Sequence, residues 1–429
     1  MEIDFPADWE LLPLEKCMSS IIDYRGKSPR KTTFGIPLIT AKIVKNGQIL
    51  EPNEFIAPED YDEWMRRGLP QPGDVIMTTE APLGEIAQLD NRKVALAQRL
   101  ITLRGKPKLL DNNYLKFVMM SEFVQAKLMA RATGTTVLGI RQSELRKIEL
   151  PIPPLYEQRA IARILGSLDD KIEANRRMNE TLEAMARAIF KSWFVDFDPV
   201  RAKAEGREPA GMDAETAALF PDSFEETELG MVPRGWEVGS VYEIADVIYG
   251  APFSSAQFNT EGNGEPLIRI RDLANELTGV WTPEVHPKGY KVRPGDIVVG
   301  MDGEFRAYLW GGVEGWLNQR ICVFKPKLGW SSVFVRNAII EPLLHLEMTE
   351  TATTVIHLGK ADIDLFKVVL PHQSISDLFN RKCQPLYDRI VCFKQESRTL
   401  AALRDALLPK LISGKLRVND AWKAVMRKS

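Results

Sequence analysis

The 429 residues carry 45% hydrophobic and 27% charged side chains, with a formal net charge of −2. That is the balance of a folded chain with buried cores, and at roughly 150 residues per domain it allows about three units. It excludes a globally basic nucleic-acid binder, so any nucleic-acid surface must be a local patch. The lack of a run of about 18 apolar residues argues against a membrane span.

The chain opens MEIDFPADWE, which lacks the basic-then-apolar form of a secretory signal. Cys17, Cys322, Cys383 and Cys392 are scattered and form no CxxC pair. A reduced, cytoplasmic chain without disulfides or zinc is expected. The first local patch follows at DYRGKSPRKTT, residues 23–33, where Arg25, Lys27, Arg30 and Lys31 share a loop with Ser28, Gly and Pro. A solvated surface loop and an anion-binding loop read equally well there.

Up to residue 154 the pattern is one of short apolar runs broken by Gly and Pro: GIPLITAKIV, GDVIMTT and ALAQRLITL. Their length and β-branched content predict strands of a mixed α+β domain, with short helices within 113–131. A proline cluster then passes straight into LYEQRAIARILGSLDDKIEANRRM. Pro154 suits a first helical position and Glu157 the positive end of the helix dipole. Apolar residues step by four and three through Ile161, Leu165, Leu168, Ile172, Leu182, Ala186, Ile189 and Trp193, with Asn175 and Asn179 interposed. This heptad seam predicts a helix of about 38 residues, roughly 57 Å long. Residues 196–232, rich in Glu, Asp, Pro, Gly and Ala, read as a connector with a short helix near 213–220.

The rest repeats the first half. TTVLGIRQSELRKIELPIP from Thr135 answers to TTVIHLGKADIDLFKVVLPHQ from Thr353, an offset of 218 (353 − 135). Pro6, Trp9 and Glu10 answer to Pro233, Trp236 and Glu237; Pro37-Leu-Ile39 to Pro266-Leu-Ile268; Pro72-Gly-Asp74 to Pro294-Gly-Asp296; and Gln98-Arg99 to Gln319-Arg320. These pairs in one order mark a tandem duplication of a large unit. The seam recurs as Phe379, Cys383, Leu386, Ile390, Phe393, Leu400, Leu407 and Leu411. Asn179 and Ser397 occupy matched polar positions and are expected to set helix register. Ser374 with Asp377 resembles a capping box, and Pro409 is expected to stop or kink the second helix near Leu408. The boundaries read as a first domain at 1–154, a helix at 155–195, the connector at 196–232, a second domain at 233–373, a helix at 374–415 and a tail at 416–429. One seam alone fits a core helix; two matched seams fit a pair that holds two domains apart.

Signatures of catalysis are weak. Gly134 to Gly139 has Walker A spacing, but Ile140-Arg141 stands where Lys-Ser/Thr is required. There is no GxGxxG, no Asn/Asp-Pro-Pro-aromatic tetrapeptide and no HExxH. Asp296 with Glu304 and Arg306 is a faint acidic cluster, and its counterpart around Asp74 and Glu80 lacks the basic residue.

The run Leu150-Pro-Ile-Pro-Pro-Leu-Tyr-Glu157-Gln158-Arg159-Ala-Ile161 resembles the central conserved region of type I restriction–modification specificity subunits. So does Phe190-Lys-Ser-Trp193-Phe-Val-Asp-Phe-Asp-Pro199. Ile22-Asp-Tyr24-Arg25-Gly-Lys27-Ser28-Pro29 with Gly35-Ile-Pro37 looks like the opening of a target-recognition domain, and Leu411-Ile-Ser-Gly414 like the C-terminal end. The resemblance implies an α+β fold of two tandem recognition domains separated by two long antiparallel, coiled-coil-like helices with pseudo-twofold symmetry. It implies a non-catalytic, sequence-specific subunit in which each domain reads half of an asymmetric bipartite site in double-stranded DNA. It further implies two methyltransferase partners and restriction/translocase partners, with S-adenosylmethionine, ATP and Mg on those partners and no cofactor on this chain. His372-Gln373 replaces the PPLYEQ run in the second copy. A protein-binding scaffold and an enzyme with a cryptic site are the rival readings.

Candidate DNA contacts are Arg25, Lys27, Ser28, Arg30 and Lys31 in the first domain. In the second they are Arg269 and Arg271, expected on one strand face, with Ser254, Ser255 and Gln257 in a polar loop. Gln98, Arg99, Gln319 and Arg320 recur, which suits backbone binding and a structural job alike. Thr135, Thr136, Thr353 and Thr354 suit capping or phosphate contact.

Overall fold

The apolar runs become strands whose alternate residues enter different cores. In the computed structural model, residues 4–26, 28–349 and 357–418 are described. The chain divides into two units, one of residues 1–171 with 400–429 and one of residues 172–399.

In the first unit a four-stranded antiparallel sheet has the order Met18–Asp23, Leu100–Gly105, Val75–Thr79, Leu83–Gln88. Val75, Met77, Ile101 and Leu103 face a core built with the helices Asn112–Met120 and Glu122–Ala130. Ile76, Leu100 and Ile22 face the opposite core, as the period of two requires. That core is closed by a small sheet, Phe55–Ile56, Ile36–Ile39, Ala95–Leu96, whose last pair is parallel. A ribbon of Glu10–Pro13 on Glu149–Ile152 leads to the first long helix.

The second unit repeats the main sheet, the parallel pair and the ribbon. Its main sheet runs Ala245–Tyr249, Ile321–Pro326, Ile297–Gly300, Ala307–Leu309. Glu265–Ile268 pairs in parallel with Gly315–Leu317, and Glu237–Ser240 pairs with Lys367–Leu370. The short motifs that mark the repeat are turns. Asp74 Oδ2 accepts the Gln71 N–H and Asp296 Oδ2 the Arg293 N–H, each at 2.8 Å. Gly73 (φ +83°) and Gly295 (φ +97°) occupy the left-handed position of that turn, which glycine enters without strain. The Trp9 N–H bonds the Pro6 carbonyl and the Trp236 N–H the Pro233 carbonyl.

Both long helices have 40 residues, Leu155–Phe194 and Gln373–Ile412. In the first unit Ile161 and Leu165 share a core with Leu411 and Ile412, and Asp169 pairs with Arg404. In the second unit Phe190 and Trp193 pack on Phe379, while Asn175 meets Ser397. Residue numbers rise on one helix as they fall on the other, so within each unit the helices are antiparallel. Leu168, Ile172, Leu182, Leu386, Phe393 and Leu400 are half-buried, and Tyr387, 1% exposed, occupies the inner position beside Leu386.

Four local expectations change. The polar contact of the seam joins Asn175, not Asn179, to Ser397, because antiparallel helices bring residues together in mirrored order, so Ser397 faces a residue nearer the start of the first helix than its own repeat counterpart. Asn175 Nδ2 also donates to Glu396 at 2.7 Å, whereas the buried Asn179 Oδ1 has no hydrogen-bond partner among the described residues. Pro154 lies just before the first helical residue and accepts the Glu157 and Gln158 N–H groups. No box forms between Ser374 and Asp377, since the helix already begins at Gln373, whose side chain bonds Asp377. Pro409 does not end the second helix. It sits on the exposed face, where a freed carbonyl can be hydrated, while burial of Leu411 and Ile412 holds the last turn.

Residues 196–232 hold helices Asp198–Ala204 and Ala214–Ala218 and the hairpin Phe224–Thr227/Gly230–Pro233. Phe197, Val200, Phe220 and Val232 are buried in the second unit's core. Among the described residues no helix is long and apolar enough to cross a membrane.

Candidate nucleic-acid interface

In the first unit, four loops converge at one end of the main sheet. The segment after Met18–Asp23 carries Arg25, whose guanidinium grips Asp23 at 2.6 Å and donates to the Ile140 carbonyl at 3.0 Å. Arg25 therefore ties its loop to the 133–140 segment and has few donors left over. Ser28 Oγ accepts from Gln98 Nε2 at 2.9 Å, and Lys31 pairs with Glu54 at 2.8 Å. Arg99 pairs with Glu80 at 3.0 Å. Thr133 and Gly139 exchange backbone hydrogen bonds, and the exposed Thr135 and Thr136 lie between them.

The cations gather around two depressions. Arg30, exposed and without a described partner, lines an open groove of roughly 740 Å³ with Arg66, Arg67, Trp64 and Tyr24. A cleft of roughly 250 Å³ brings Lys31, Gln98 and Arg99 together with Lys42 and Thr40. Lys42 and Arg66 were not legible as site residues. The RR pair at 66–67 and a lysine just past PLIT were visible signals, but nothing local tied them to the 23–33 loop.

The second unit builds the same corner. Arg320 pairs with Asp302 at 3.1 Å, and His357 Nδ1 lies 2.8 Å from that carboxylate. The Met301 N–H bonds the Arg320 carbonyl at 2.9 Å, matching Thr79 N–H to Arg99. The Leu358 N–H bonds the Met301 carbonyl, matching Ile140 to Thr79. Arg320 has φ +74°, a strained conformation for a non-glycine residue that its surroundings must enforce. Gln319 is exposed beside it. Ser254, Ser255 and Gln257 are exposed on the turn Ser255–Gln257, and the Ser254 N–H is held by Glu284 at 2.8 Å.

Arg269 and Arg271 do not share a strand face. The strand stops at Ile268, and both fall in the turn that follows. Arg269 is held by the buried Asp272 at 3.1 Å, and only Arg271 is exposed. The acidic cluster also dissolves. Asp296 is spent on its turn, where burial pushes its carboxyl up from the usual range, and Glu304 pairs with Arg306 at 2.7 Å. Lys27, Thr353 and Thr354 lie outside the described residues.

The YEQ run has a structural job beyond the helix dipole. Glu157, 2% exposed, accepts from Trp9 Nε1 at 3.2 Å and pairs with Arg417 at 2.9 Å. Gln158, fully buried, bonds the Asp111 N–H and the Leu109 and Pro153 carbonyls. At the offset of 218 residues (375 − 157), the second copy has Ile375 in place of Glu157. Trp236 Nε1, the counterpart of Trp9 Nε1, is correspondingly buried without a hydrogen-bond partner among the described residues.

The family model of type I restriction modification DNA specificity domains matches residues 26–184 and 233–379. The type I restriction enzyme MjaIX specificity subunit of Methanocaldococcus jannaschii is 25% identical over 439 residues, covering 97% of this chain and 95% of that protein. The HindI specificity subunit of Haemophilus influenzae is 26% identical over 376 residues, covering 76% and 82%. In fold, the chain is similar to the crystal structure of a type I restriction–modification S subunit from M. genitalium. The TM-score is 0.54 at 16% identity, covering 96% of this chain and 98% of that one.

Proposed function

This chain belongs to the type I restriction–modification DNA specificity family, and from that premise we propose how it divides the reading of DNA. Each repeated α+β domain reads one half of an asymmetric bipartite site in double-stranded DNA. The two long helices set the number of base pairs between the halves and dock two methyltransferase subunits. The chain performs no chemistry of its own. S-adenosylmethionine, ATP and Mg bind the methyltransferase and restriction/translocase partners.

The observation that carries this reading is the duplicated corner: Glu80 with Arg99 and Asp302 with Arg320, each at the end of the same strand of the same sheet. Around these corners the loops differ in sequence while the frame repeats, as two readers of different half-sites require. In the first corner cations on Arg30, Lys31, Lys42 and Arg66 suit phosphate contact, which positions a protein without specifying bases. The chain's net charge of −2 is compatible with this, because the field at a loop cluster is local.

The test is an exchange of residues 239–370 for another recognition domain, followed by methylome sequencing of cells that also carry the methyltransferase partner. One half-site should change while the other half and the spacer persist. A change in both halves would overturn the division of labour. Inserting four residues into both helices should alter the spacer alone.

A further inference from the structure

Phe34 is 78% exposed and is the one exposed phenylalanine among the 18 in the chain, all of which are described. Its position is built rather than loose. The Thr32 N–H bonds the Phe55 carbonyl at 2.9 Å, and Thr32 Oγ1 donates to the Phe34 carbonyl at 2.7 Å. Gly35 follows at φ +130°, where a Cβ would stand 2.3 Å from the Ile56 carbonyl oxygen. The backbone on both sides of the ring is therefore held in place. On the chain it follows Arg30 and Lys31, which line the two cationic depressions of the first unit.

The repeat supplies a control. Gly264 is the counterpart of Gly35: φ is +90°, and a Cβ would stand 2.2 Å from the Thr282 carbonyl oxygen. The residue before it is Asn263. Its N–H and carbonyl are both bonded by the Asn259 side chain, at 2.9 and 2.8 Å. One frame thus presents a bare aromatic ring in the first unit and a tethered polar residue in the second. Core packing does not explain a ring left 78% exposed.

We propose that Phe34 is a base reader of the first half-site, its ring contacting the C5-methyl group of a thymine in the major groove. The ring offers no donor for phosphate, and the thymine methyl is the apolar group that the major groove displays. Insertion between base pairs would require unstacking, which the methyl contact avoids. The inference rests on the reading that this loop cluster faces DNA.

The experiment uses the full chain assembled with its methyltransferase subunits and a duplex carrying the site found by methylome sequencing. Binding is compared for wild type, Phe34→Ala and Phe34→Leu on three duplexes: cognate, random, and cognate with each first-half thymine replaced in turn by uracil. Phe34→Ala should bind the cognate duplex about tenfold more weakly and the random duplex unchanged, with Phe34→Leu close to wild type. One uracil should weaken wild type by a similar factor and leave Phe34→Ala indifferent. Equal loss on cognate and random DNA would overturn the proposal. So would no loss, a first half-site without thymine on either strand, or indifference to uracil with brightening of 2-aminopurine, the sign of insertion. Arg30→Ala separates the two readings. If it weakens all duplexes while Phe34→Ala is silent, only this inference fails; if neither changes binding, the interface reading fails with it.

Discussion

Arg404 Nη1 lies 2.9 Å from Asp169 Oδ1, so a cation between Leu400 and Leu407 on the second helix meets a carboxylate of the first. Lys116 approaches the other oxygen of Asp169 at 2.6 Å, and all three side chains are no more than 16% exposed. The two ends of this network are unequal. Arg404→Met leaves Asp169 paired with Lys116 and should cost about 1 kcal/mol. Asp169→Asn takes the carboxylate from the mostly buried Lys116 and leaves Arg404 only the more exposed Asp405, and should cost about 3 kcal/mol. Urea unfolding of both variants checks the order; an equal loss would mean that Lys116 contributes nothing.

At Asn175 the sign of one group decides the outcome. Its Nδ2 donates to Glu396 at 2.7 Å and to Ser397 at 3.3 Å. Asn175→Asp keeps the shape but places a carboxylate against a carboxylate. The melting midpoint should fall, equivalent to about 2 kcal/mol at neutral pH. The loss should shrink as pH drops below about 4, where carboxylates protonate. Asn175→Leu should hold or raise the midpoint while loosening register, read as mixed spacers in the methylome.

Phosphate contacts and base contacts separate by salt. If Arg30 and Lys42 touch phosphate, each alanine substitution should weaken cognate and random duplexes alike. Each should also lower the slope of log affinity against log salt by about 1. Binding titrations between low and moderate salt measure this. A loss confined to the cognate duplex would reassign the residue to base contact.

The four cysteines differ in burial, and burial sets their reactivity. Cys17 is pushed up to about 11, and Cys322 and Cys383 to about 12, chiefly by desolvation of the thiolate. A raised thiol pKa keeps the neutral, unreactive form through pH 8, and only Cys392 is exposed. Titration with an aromatic disulfide reagent at pH 8 should find one fast thiol in the native protein and four after denaturation.

Much of the frame was legible before any fold was seen. Pro72-Gly-Asp74 and Pro294-Gly-Asp296 mark the same turn because a local hydrogen bond and a left-handed glycine impose it on neighbouring residues. The helices were legible because a period of 3.6 is written into consecutive residues. By itself the sequence therefore determined the duplication, the strand-rich domains and the two seamed helices, all set by interactions within a few residues or by matching one half against the other. Tertiary structure alone decided which residues meet. It set Asn175 rather than Asn179 against Ser397, held Arg269 on Asp272, carried the second helix past Pro409 and gathered Lys42 and Arg66 beside the 23–33 loop. The physical reason is common to most of these. Such contacts join residues tens to hundreds of positions apart, and their pairing follows from antiparallel packing and burial, which no local pattern encodes.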